Sequence, residues 1–290
     1  MATDILPRMS DHSKDNTICR LYPAPQKNIQ LEGLYLDHLL HQRGKDDVPC
    51  VYSNFITSLD GRIAVGESGR ATHTVPEAIT NPRDWRLYQE LAGQADILIT
   101  SGRFYRQSST GEAQDILPVG NQPAFADIRS WRIEQGLQAQ PDIAIMSGSL
   151  DIPLDALKPY RSRRLIVVTG AGADKKKGQA LLDHGIEVVH AGTGRQVDGR
   201  LMVDRLAASG YRSIYAIAGP AVFSTLLHAR VVDRLYLTFA CALLGGYVFD
   251  TLTRGEPLVP AQGMRLSSLY HDIHAAAGAG QLFAMFESGK

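Results

Sequence analysis

Two apolar segments of the chain end in polar residues. The first segment runs from Val51 to Ile63 and contains the run Ser-Leu-Asp-Gly at residues 58–61. The second starts at Ile214 and passes through Gly219 and Pro220 into an apolar, helical pattern. If both segments begin as strands of a parallel sheet, their polar ends lie together at the carboxyl edge, where such sheets bind ligands. Both segments are therefore candidate binding loops.

The segment around Gly219 has the features of a phosphate-binding helix start. A glycine allows a ligand to approach the backbone closely, and a proline fits the first turn of a helix. The amides of the next residues then point outward and attract anions. We assign cofactor binding to Gly219, Pro220, Ala221, Val222 and Phe223. A tight turn between a strand and a helix, without any ligand, explains the same residues.

The polar groups of the first segment also allow two interpretations. Asp60 and Gly61 form a dipeptide that is typical of a hairpin turn. Asn54 lies among apolar neighbours in the strand, a position where a hydrogen-bonded core amide is common. Either side chain can instead face a substrate at the end of the strand.

The composition favours a globular protein that acts on small molecules. The chain has 290 residues, 44% of them hydrophobic, which is enough for one large α/β domain. Its 30 basic and 30 acidic residues cancel, so no overall field attracts nucleic acid or an anionic membrane surface. The widely spaced Cys19, Cys50 and Cys241 form neither a disulfide framework nor a metal-binding pair. Because no apolar run has the length of a signal peptide or a membrane helix, we expect a cytoplasmic protein. Neither the cysteines nor the histidine pairs His38/His41 and His271/His274 have a further ligand nearby in sequence, so we expect no bound metal.

Short apolar runs alternate with helical patterns along most of the chain. The predicted strands are 50–56, 96–100, 142–146, 165–169, 186–189 and 213–218, and the helices between and after them include 82–92, 173–184, 201–208 and 221–228. This alternation predicts a mostly parallel sheet covered by helices. Three further predicted strands, 234–244, 264–274 and 281–287, follow one another without a helix, which predicts antiparallel pairing at one side of the sheet.

Two regions fall outside this alternation. Residues 1–45 begin with a polar stretch that contains three prolines, and the leucines between Ile29 and Arg43 have helical spacing. We therefore predict a loose N-terminal extension with one helix. Residues 108–140, rich in Gln, Gly and Pro, are predicted to be a surface insertion with one helix. Residues 46–290 are predicted to be a single domain.

Several short motifs resemble the pyrimidine reductases of riboflavin biosynthesis. Ser58 to Arg62 is similar to the Ser-Leu-Asp-Gly-Lys/Arg signature of that reductase domain, and Ala95 to Gly102 is similar to its Ala-Asp-Ala-Ile-Leu-Val-Gly strand. Residues 218–220 and the Val-Asp-Arg-Leu run at 232–235 resemble its glycine loop and following strand entry, and residues 243–246 resemble its Leu-Leu-Gly-Gly end. The resemblance implies a dihydrofolate-reductase-like three-layer sandwich with a mixed sheet, NADPH as the cofactor, and a homodimer.

The resemblance also implies roles for particular residues. Asn54 and Asp60 would face the substrate, and His73 would lie near the nicotinamide. The expected cofactor contacts, besides the helix start at 219–223, are Ser58, Gly61, Thr100, Ser101, Gly102, Arg103, Thr169 and Gly170. Arg103 has a guanidinium that matches the 2′-phosphate of NADPH, although an arginine in a solvated loop is the ordinary alternative.

Two departures from the family pattern concern the substrate. The family has a substrate-binding Glu where this chain has Ile217, and an Arg where it has Ala92. An apolar side chain holds neither a ribose hydroxyl nor a phosphate. The expected activity is NADPH-dependent reduction of a pyrimidine-like nitrogen heterocycle, as in 5-amino-6-(5-phosphoribosylamino)uracil reductases, with a diverged substrate. The alternatives are a pterin or folate reductase and an NADPH-binding protein without turnover.

Overall fold

The computed structural model describes residues 16–66, 73–113, 117–275 and 278–289. The strands within these residues are β1 (Thr17–Tyr22), β2 (Gln26–Gln30), β3 (Cys50–Ser58), β4 (Ala64–Gly66), β5 (His73–Thr74), β6 (Ile97–Ser101), β7 (Asp142–Met146), β8 (Leu165–Thr169), β9 (Glu187–His190), β10 (Ser213–Ala216), β11 (Arg234–Ala240), β12 (Phe249–Asp250), β13 (Met264–Asp272) and β14 (Gln281–Ser288). Three short strands form a small sheet in the order β12-β4-β5, and the others form one large sheet.

The large sheet has the order β2-β1-β13-β14-β11-β3-β10-β6-β7-β8-β9. All neighbours from β11 to β9 are parallel. The strands β14, β13, β1 and β2 continue the sheet by antiparallel pairing. The predicted mixed sheet with antiparallel C-terminal strands is thereby confirmed. Because the parallel strands all run in one direction, the loops after β3, β6, β7, β8, β10 and β11 leave at the same edge, here called the carboxyl edge.

Helices cover both faces of the large sheet. They are α1 (Pro82–Gly93), α2 (Gly102–Ser109), α3 (Ala126–Glu134), α4 (Lys175–Asp183), α5 (Gly199–Ala208) and α6 (Pro220–His228). Val51 and Phe55 of β3 pack in one core cluster with α5 and α6, and Tyr52 of the same strand packs in another with α1 and α3. Thus β3 is buried on both faces, as expected of a central parallel strand. No helix in the described residues is long and apolar enough to cross a membrane.

The prediction of a loose N-terminal extension with one helix is wrong for the residues that the structure describes. Residues 17–30 form β1 and β2, and β1 pairs with β13 in the large sheet. Residues 36–38 and 40–42 form two short 3₁₀ helices, separated by Leu39 at a φ of +46°. The apolar spacing was read correctly as burial, because Leu31, Leu34 and Leu40 pack under α1, but it serves tight turns instead of one α-helix.

The segment 108–140 is more than a surface insertion. Its helix α3 packs against α1, and Arg132 of α3 is only 1% exposed. Arg132 Nη1 donates to the carbonyl oxygens of Gly93 at 2.8 Å and Ala95 at 2.9 Å. A helix leaves its last carbonyls without intrahelical partners. Arg132 therefore satisfies the C-terminal end of α1, and burial lowers its pKa to about 10, at which the guanidinium is still charged near neutral pH.

Candidate active site

The turn after β3 is organised by the carboxylate of Asp60. The Ser58 hydroxyl donates to Asp60 Oδ1 at 2.5 Å, and Arg62 Nη1 donates to Oδ2 at 2.6 Å. The backbone amides of Leu244 and Gly245 donate to the same carboxylate at 3.2 and 2.8 Å. The hydrogen bond from Ser58, followed by that from Gly245, lowers the pKa of Asp60 to about 2. The group is therefore an anion at neutral pH, with each oxygen already engaged.

The same turn holds the loop that follows β11. Arg62 donates to the carbonyl of Gly246 at 3.1 Å, and its guanidinium carbon lies 4.3 Å from the centre of the Phe249 ring. Gly61 has a φ of +81°, which a residue with a side chain rarely adopts. In the small sheet nearby, His73 Nδ1 lies 2.9 Å from the carboxylate of Asp250. The Ser-Leu-Asp-Gly and Leu-Leu-Gly-Gly motifs thus meet as one scaffold at the carboxyl edge.

Replacing Asp60 with Ala should release this loop. The substitution removes the acceptor of the Leu244 and Gly245 amides, so we expect their hydrogen exchange to accelerate at least tenfold, as is typical of a lost backbone hydrogen bond in a surface loop. Exchange read by mass spectrometry or NMR measures the effect. Asp204→Ala, at an exposed position on α5, is the matched control. Unchanged protection of residues 244 and 245 in Asp60→Ala would contradict this role.

The start of α6 combines a free amide with buried side chains. Gly219 is the residue before the helix and Pro220 its first residue, as predicted. The amides of Val222 and Phe223 both donate to the Gly219 carbonyl, at 3.1 and 3.3 Å. Their side chains are only 2% exposed and belong to the core. The expectation that the Val222 amide points outward is therefore wrong, and the exposed residue available to a ligand here, besides Gly219, is Ala221.

Helix α2 begins directly after β6, within the Ser-Gly-Arg sequence of residues 101–103. Ser101 precedes the helix and makes no capping bond with its side chain, and Thr100 is buried. A Cβ on Gly102 would lie 2.9 Å from Ser147 Oγ, so a larger residue here would displace the Ser147 side chain on the loop after β7. Arg103 is exposed and makes no hydrogen bond or ion pair with another described residue.

A second loop covers the end of β8. The amides of Ala171 and Gly172 donate to the carbonyls of Gly192 and Gly194, at 2.8 and 2.9 Å. A Cβ on Gly170 would lie 2.1 Å from the Gly194 carbonyl oxygen. Thr169 is fully buried, and its hydroxyl has no hydrogen-bond partner among the described residues. The backbone of this loop therefore fills the space beside the Cα of Gly170, one of the expected cofactor contacts.

Partly exposed aromatic side chains lie where the first turns of α1 meet the sheet, and this surface is here called the candidate cleft. Asn54 of β3 is half-buried, and its Oδ1 accepts a 2.5 Å hydrogen bond from the hydroxyl of Tyr215 on β10. From α1, the half-buried rings of Trp85 and Tyr88 stack with centres 4.7 Å apart, and Tyr88 lies 6.0 Å from the Tyr215 ring. Ile217 adds an apolar, partly exposed surface. The cleft has the flat aromatic walls and few polar groups that suit a heterocyclic ring.

The candidate cleft also contains an acidic side chain that was not predicted from the sequence. Asp84, in the first turn of α1, is half-buried. Burial raises its pKa to about 6, while a hydrogen bond with the Thr238 side chain of β11 acts in the opposite direction. A possible signal was the run Asn-Pro-Arg-Asp-Trp at residues 81–85, but an Asp in a first helical turn is ordinarily explained by the helix dipole.

A buried polar network fixes the start of α1 against the sheet. Asn81 caps the helix, and its Nδ2 donates to Gln281 Oε1 at 2.8 Å. Asp272, which is fully buried, accepts from Arg83 Nε at 2.7 Å and from Gln281 Nε2 at 2.9 Å. The ends of β13 and β14 thus hold the helix turn that carries Asp84.

Arg86, the other arginine of α1, is also held by ion pairs. Ala92 lies at the opposite end of this helix from Asp84. Arg86 Nε donates to Glu90 at 2.8 Å, and its other nitrogens bind both carboxylate oxygens of Asp127 on α3. Ala92 is fully buried at the far end of α1, about 12 Å from Asp84 at 1.5 Å per residue. The expectation that Ala92 faces the substrate is therefore wrong, because an eight-residue separation places it at the opposite edge of the sheet.

Two helices begin at the carboxyl edge without a side-chain cap. These are α2 and α6, whereas side chains cap α1, α4 and α5, and the start of α3 also lacks a side-chain cap. Free amides at helix starts bind anions. Among the described residues, no group of three or more His, Cys, Asp or Glu side chains is placed to hold a metal ion.

The fold defines a three-layer α/β protein, with the helix starts and the candidate cleft described above at the carboxyl ends of its parallel strands. The family model described as the RibD C-terminal domain matches residues 49–274, and the chain belongs to that family. The riboflavin biosynthesis protein RibD of Bacillus amyloliquefaciens is 32% identical over 90 residues. That match covers 31% of this chain and 24% of the relative, so the chain spans only about a quarter of it.

Solved structures show the same fold. A pyrimidine reductase-like protein from Corynebacterium diphtheriae superposes with a TM-score of 0.65 at 20% identity, covering 90% of this chain and 100% of that protein. The riboflavin biosynthesis reductase Rib7 of Saccharomyces cerevisiae has a TM-score of 0.57 at 15% identity, with 89% and 99% covered. RibD of Acinetobacter baumannii has a TM-score of 0.56 at 18% identity, with 83% and 58% covered.

Proposed function

We propose that this protein is an NADPH-dependent reductase of a pyrimidine-like nitrogen heterocycle. The observation that carries the proposal is the joint position of two uncapped helix starts and an aromatic cleft at one edge of the sheet. The family match supports it, as do the names of the relatives, which describe riboflavin biosynthesis and pyrimidine reduction. We further propose a cytoplasmic homodimer that binds neither nucleic acid nor a membrane.

The residues around the cleft would hold the cofactor, which supplies a hydride when bound. Ser101, Gly102 and Arg103 at the start of α2, and Gly219 and Ala221 at the start of α6, would present backbone amides and one free guanidinium to phosphate groups. Pro220, which has no amide hydrogen, would fix the first turn of α6. Ser58, Asp60 and Gly61 act by fixing the loop after β11. We assign no direct cofactor contact to the side chains of Thr169, Val222 and Phe223, since all three are buried.

The substrate ring would lie against the aromatic wall. Asn54 Oδ1 is fixed by Tyr215, and Asn54 Nδ2 makes no hydrogen bond with another described residue. A fixed amide of this kind orients a carbonyl or ring nitrogen and so contributes to the rate by positioning. His73 contacts Asp250 in the small sheet beside the turn, and we propose that it lies near the nicotinamide when the cofactor is bound.

The test of the proposed function is a cofactor and substrate panel. NADPH oxidation should be followed with 5-amino-6-(5-phosphoribosylamino)uracil, with its dephosphorylated riboside and with a dihydropterin. Turnover of a pyrimidine supports the proposal. Turnover of the dihydropterin alone points to a pterin reductase, and NADPH binding with no turnover of any compound points to a binding protein.

Cofactor choice should depend on Arg103. We expect NADPH to bind more tightly than NADH, because a charge-assisted contact with the 2′-phosphate contributes about 1.5 to 3 kcal/mol. Arg103→Ala should therefore remove roughly 10- to 100-fold of the preference. Calorimetry with both cofactors measures it. Arg195→Ala is an informative comparison, because Arg195 is exposed on the loop that covers Gly170. Equal affinities of the parent for the two cofactors would remove the basis of the Arg103 assignment.

A further inference from the structure

The reduction proposed above requires a proton as well as a hydride, and the residues of the Ser-Leu-Asp-Gly turn are poorly placed to supply it. The Asp60 carboxylate accepts four hydrogen bonds and is held as an anion by its lowered pKa. His73 is engaged with Asp250. The position at which the family has an acidic side chain carries Ile217, which has no proton to give.

Asp84 has the surroundings that a proton donor needs. It lies on the first turn of α1 beside Trp85 and reaches Thr238 on β11, across from the Asn54 and Tyr215 pair. A carboxylic acid whose pKa lies near the working pH is the most effective general acid. Because burial is the cause that raises its pKa to about 6, a substantial fraction of Asp84 is protonated at slightly acidic to neutral pH.

The described groups that face Asp84 are either neutral or already paired with another residue. From the elements packed against α1, the titratable neighbours are the phenols of Tyr35 and Tyr215, and burial raises the pKa of both so that they stay neutral. The nearest cation along the helix, Arg83, is paired with Asp272. Thr238 is a neutral hydroxyl. No charged partner in the described residues shifts the pKa of Asp84, so the acid is not consumed in an ion pair.

We propose that Asp84 is the catalytic acid of this site and protonates the substrate nitrogen during reduction. The proposal rests on the reductase function stated above. The carbon of the substrate C=N bond gains the hydride that the dihydronicotinamide loses, which oxidises the cofactor. The nitrogen takes the proton from the Asp84 carboxyl group, and the C=N bond becomes a C–N single bond. The resulting Asp84 carboxylate regains its proton from water after the product leaves.

The first test follows the protonation of Asp84 without requiring turnover. In protein labelled with ¹³C at the aspartate carboxyl groups, one NMR signal should titrate near pH 6 and disappear in Asp84→Asn. It should remain in Asp204→Asn, a control at an exposed position of α5. A Trp131→Phe background leaves Trp85 as the single tryptophan, and its fluorescence should change over the same pH range. Absence of any signal that titrates near 6 and depends on Asp84 would overturn the proposal.

The second test separates this proposal from the proposed function. With the dephosphorylated pyrimidine riboside, the parent's kcat should fall as pH rises above 6, since the acid must be protonated. Asp84→Asn should lower kcat about 100-fold and abolish this limb, while NADPH affinity changes less than twofold. Asp84→Glu should recover part of kcat together with a pH limb, which a purely structural role does not predict.

The outcomes are distinct. If Asp84→Asn keeps the parent's kcat and pH profile, the catalytic role of Asp84 is wrong and the reductase function stands. If the parent binds no NADPH, as read by Trp85 fluorescence, the reductase function fails, and with it the hydride step, even where the NMR titration near pH 6 is observed.

Discussion

Phosphorylated 5-amino-6-ribosylaminouracil should be reduced at least 100-fold less efficiently, in kcat/KM, than its dephosphorylated riboside. A binding site rejects a charged group strongly when that group must lose water without gaining a partner. The described residues of α1 offer no free cation to the cleft, because Arg83 is bound to Asp272 and Arg86 to Glu90 and Asp127. The acid at Asp84 further disfavours an approaching phosphate when it is ionised.

In the structure, the two arginines of α1 are not available to bind the phosphate of the substrate. Arg83 and Arg86 are both on the helix that lines the cleft, and either was a natural substitute for a missing arginine. To release Arg86 would leave Glu90, fully buried, with only the backbone amides of Gly33 and Tyr35 as partners. Such a rearrangement costs about 3 to 5 kcal/mol, which a surface phosphate contact does not offset.

The measurement is steady-state NADPH oxidation with each compound over a range of concentrations. Arg83→Ala and Arg86→Ala serve as probes, and Arg200→Ala, on the exposed side of α5, is the control for loss of a positive charge. Vigorous turnover of the phosphorylated compound, abolished in either probe variant, would show that one of these arginines leaves its partner to clamp the phosphate.

The central part of the fold was predictable because its strands are buried on both sides. The runs 142–146 and 165–169 are continuous apolar stretches bounded by polar residues, and the structure has β7 and β8 at the same bounds. The hairpin of β1 and β2 was missed, since its strand Gln26–Gln30 is mostly exposed and carries no apolar alternation. Its place in the sheet depends on pairing with β13, about 250 residues later in the chain, which local patterns do not encode.

The candidate site was predictable only where motifs define it. The Ser-Leu-Asp-Gly turn and the two helix starts follow from short sequences, and they meet at one edge as expected. Asp84 was missed because its altered acidity arises from packing: α1 must lie against β10 and β11 before the carboxyl loses water. The assignment of Ala92 to the substrate site was wrong. Matching Ala92 to a family position in the sequence does not show which end of α1 lies at the candidate cleft.

The ion pair of Asp272 and Arg83 gives the largest stability effect that we expect. Both Asp272 and Gln281 are fully buried, and Arg83 has only 12% of its side chain exposed. Removing one partner of a buried pair leaves the other charge without compensation and typically costs 3 to 5 kcal/mol. Asp272→Ala also deprives Gln281 Nε2 of one acceptor, at the point where β13 and β14 hold the capped start of α1.

We therefore expect Asp272→Ala to lower the free energy of unfolding by about 3 kcal/mol or more, measured by urea denaturation at neutral pH. The double variant Arg83→Met with Asp272→Leu should lose markedly less, because it removes both charges and fills the space with apolar atoms. Arg265→Ala, which breaks an ion pair in which Arg265 is 69% exposed, should change stability by less than about 1 kcal/mol. If Asp272→Ala is as mild as Arg265→Ala, the pair does not fix the start of α1. In that case NADPH affinity and the Asp84 titration should also be unchanged in Asp272→Ala. If the pair does fix the helix start, Asp272→Ala should loosen it and let water reach the Asp84 carboxyl group. The NMR signal that titrates near pH 6 should then move toward the ordinary aspartate range.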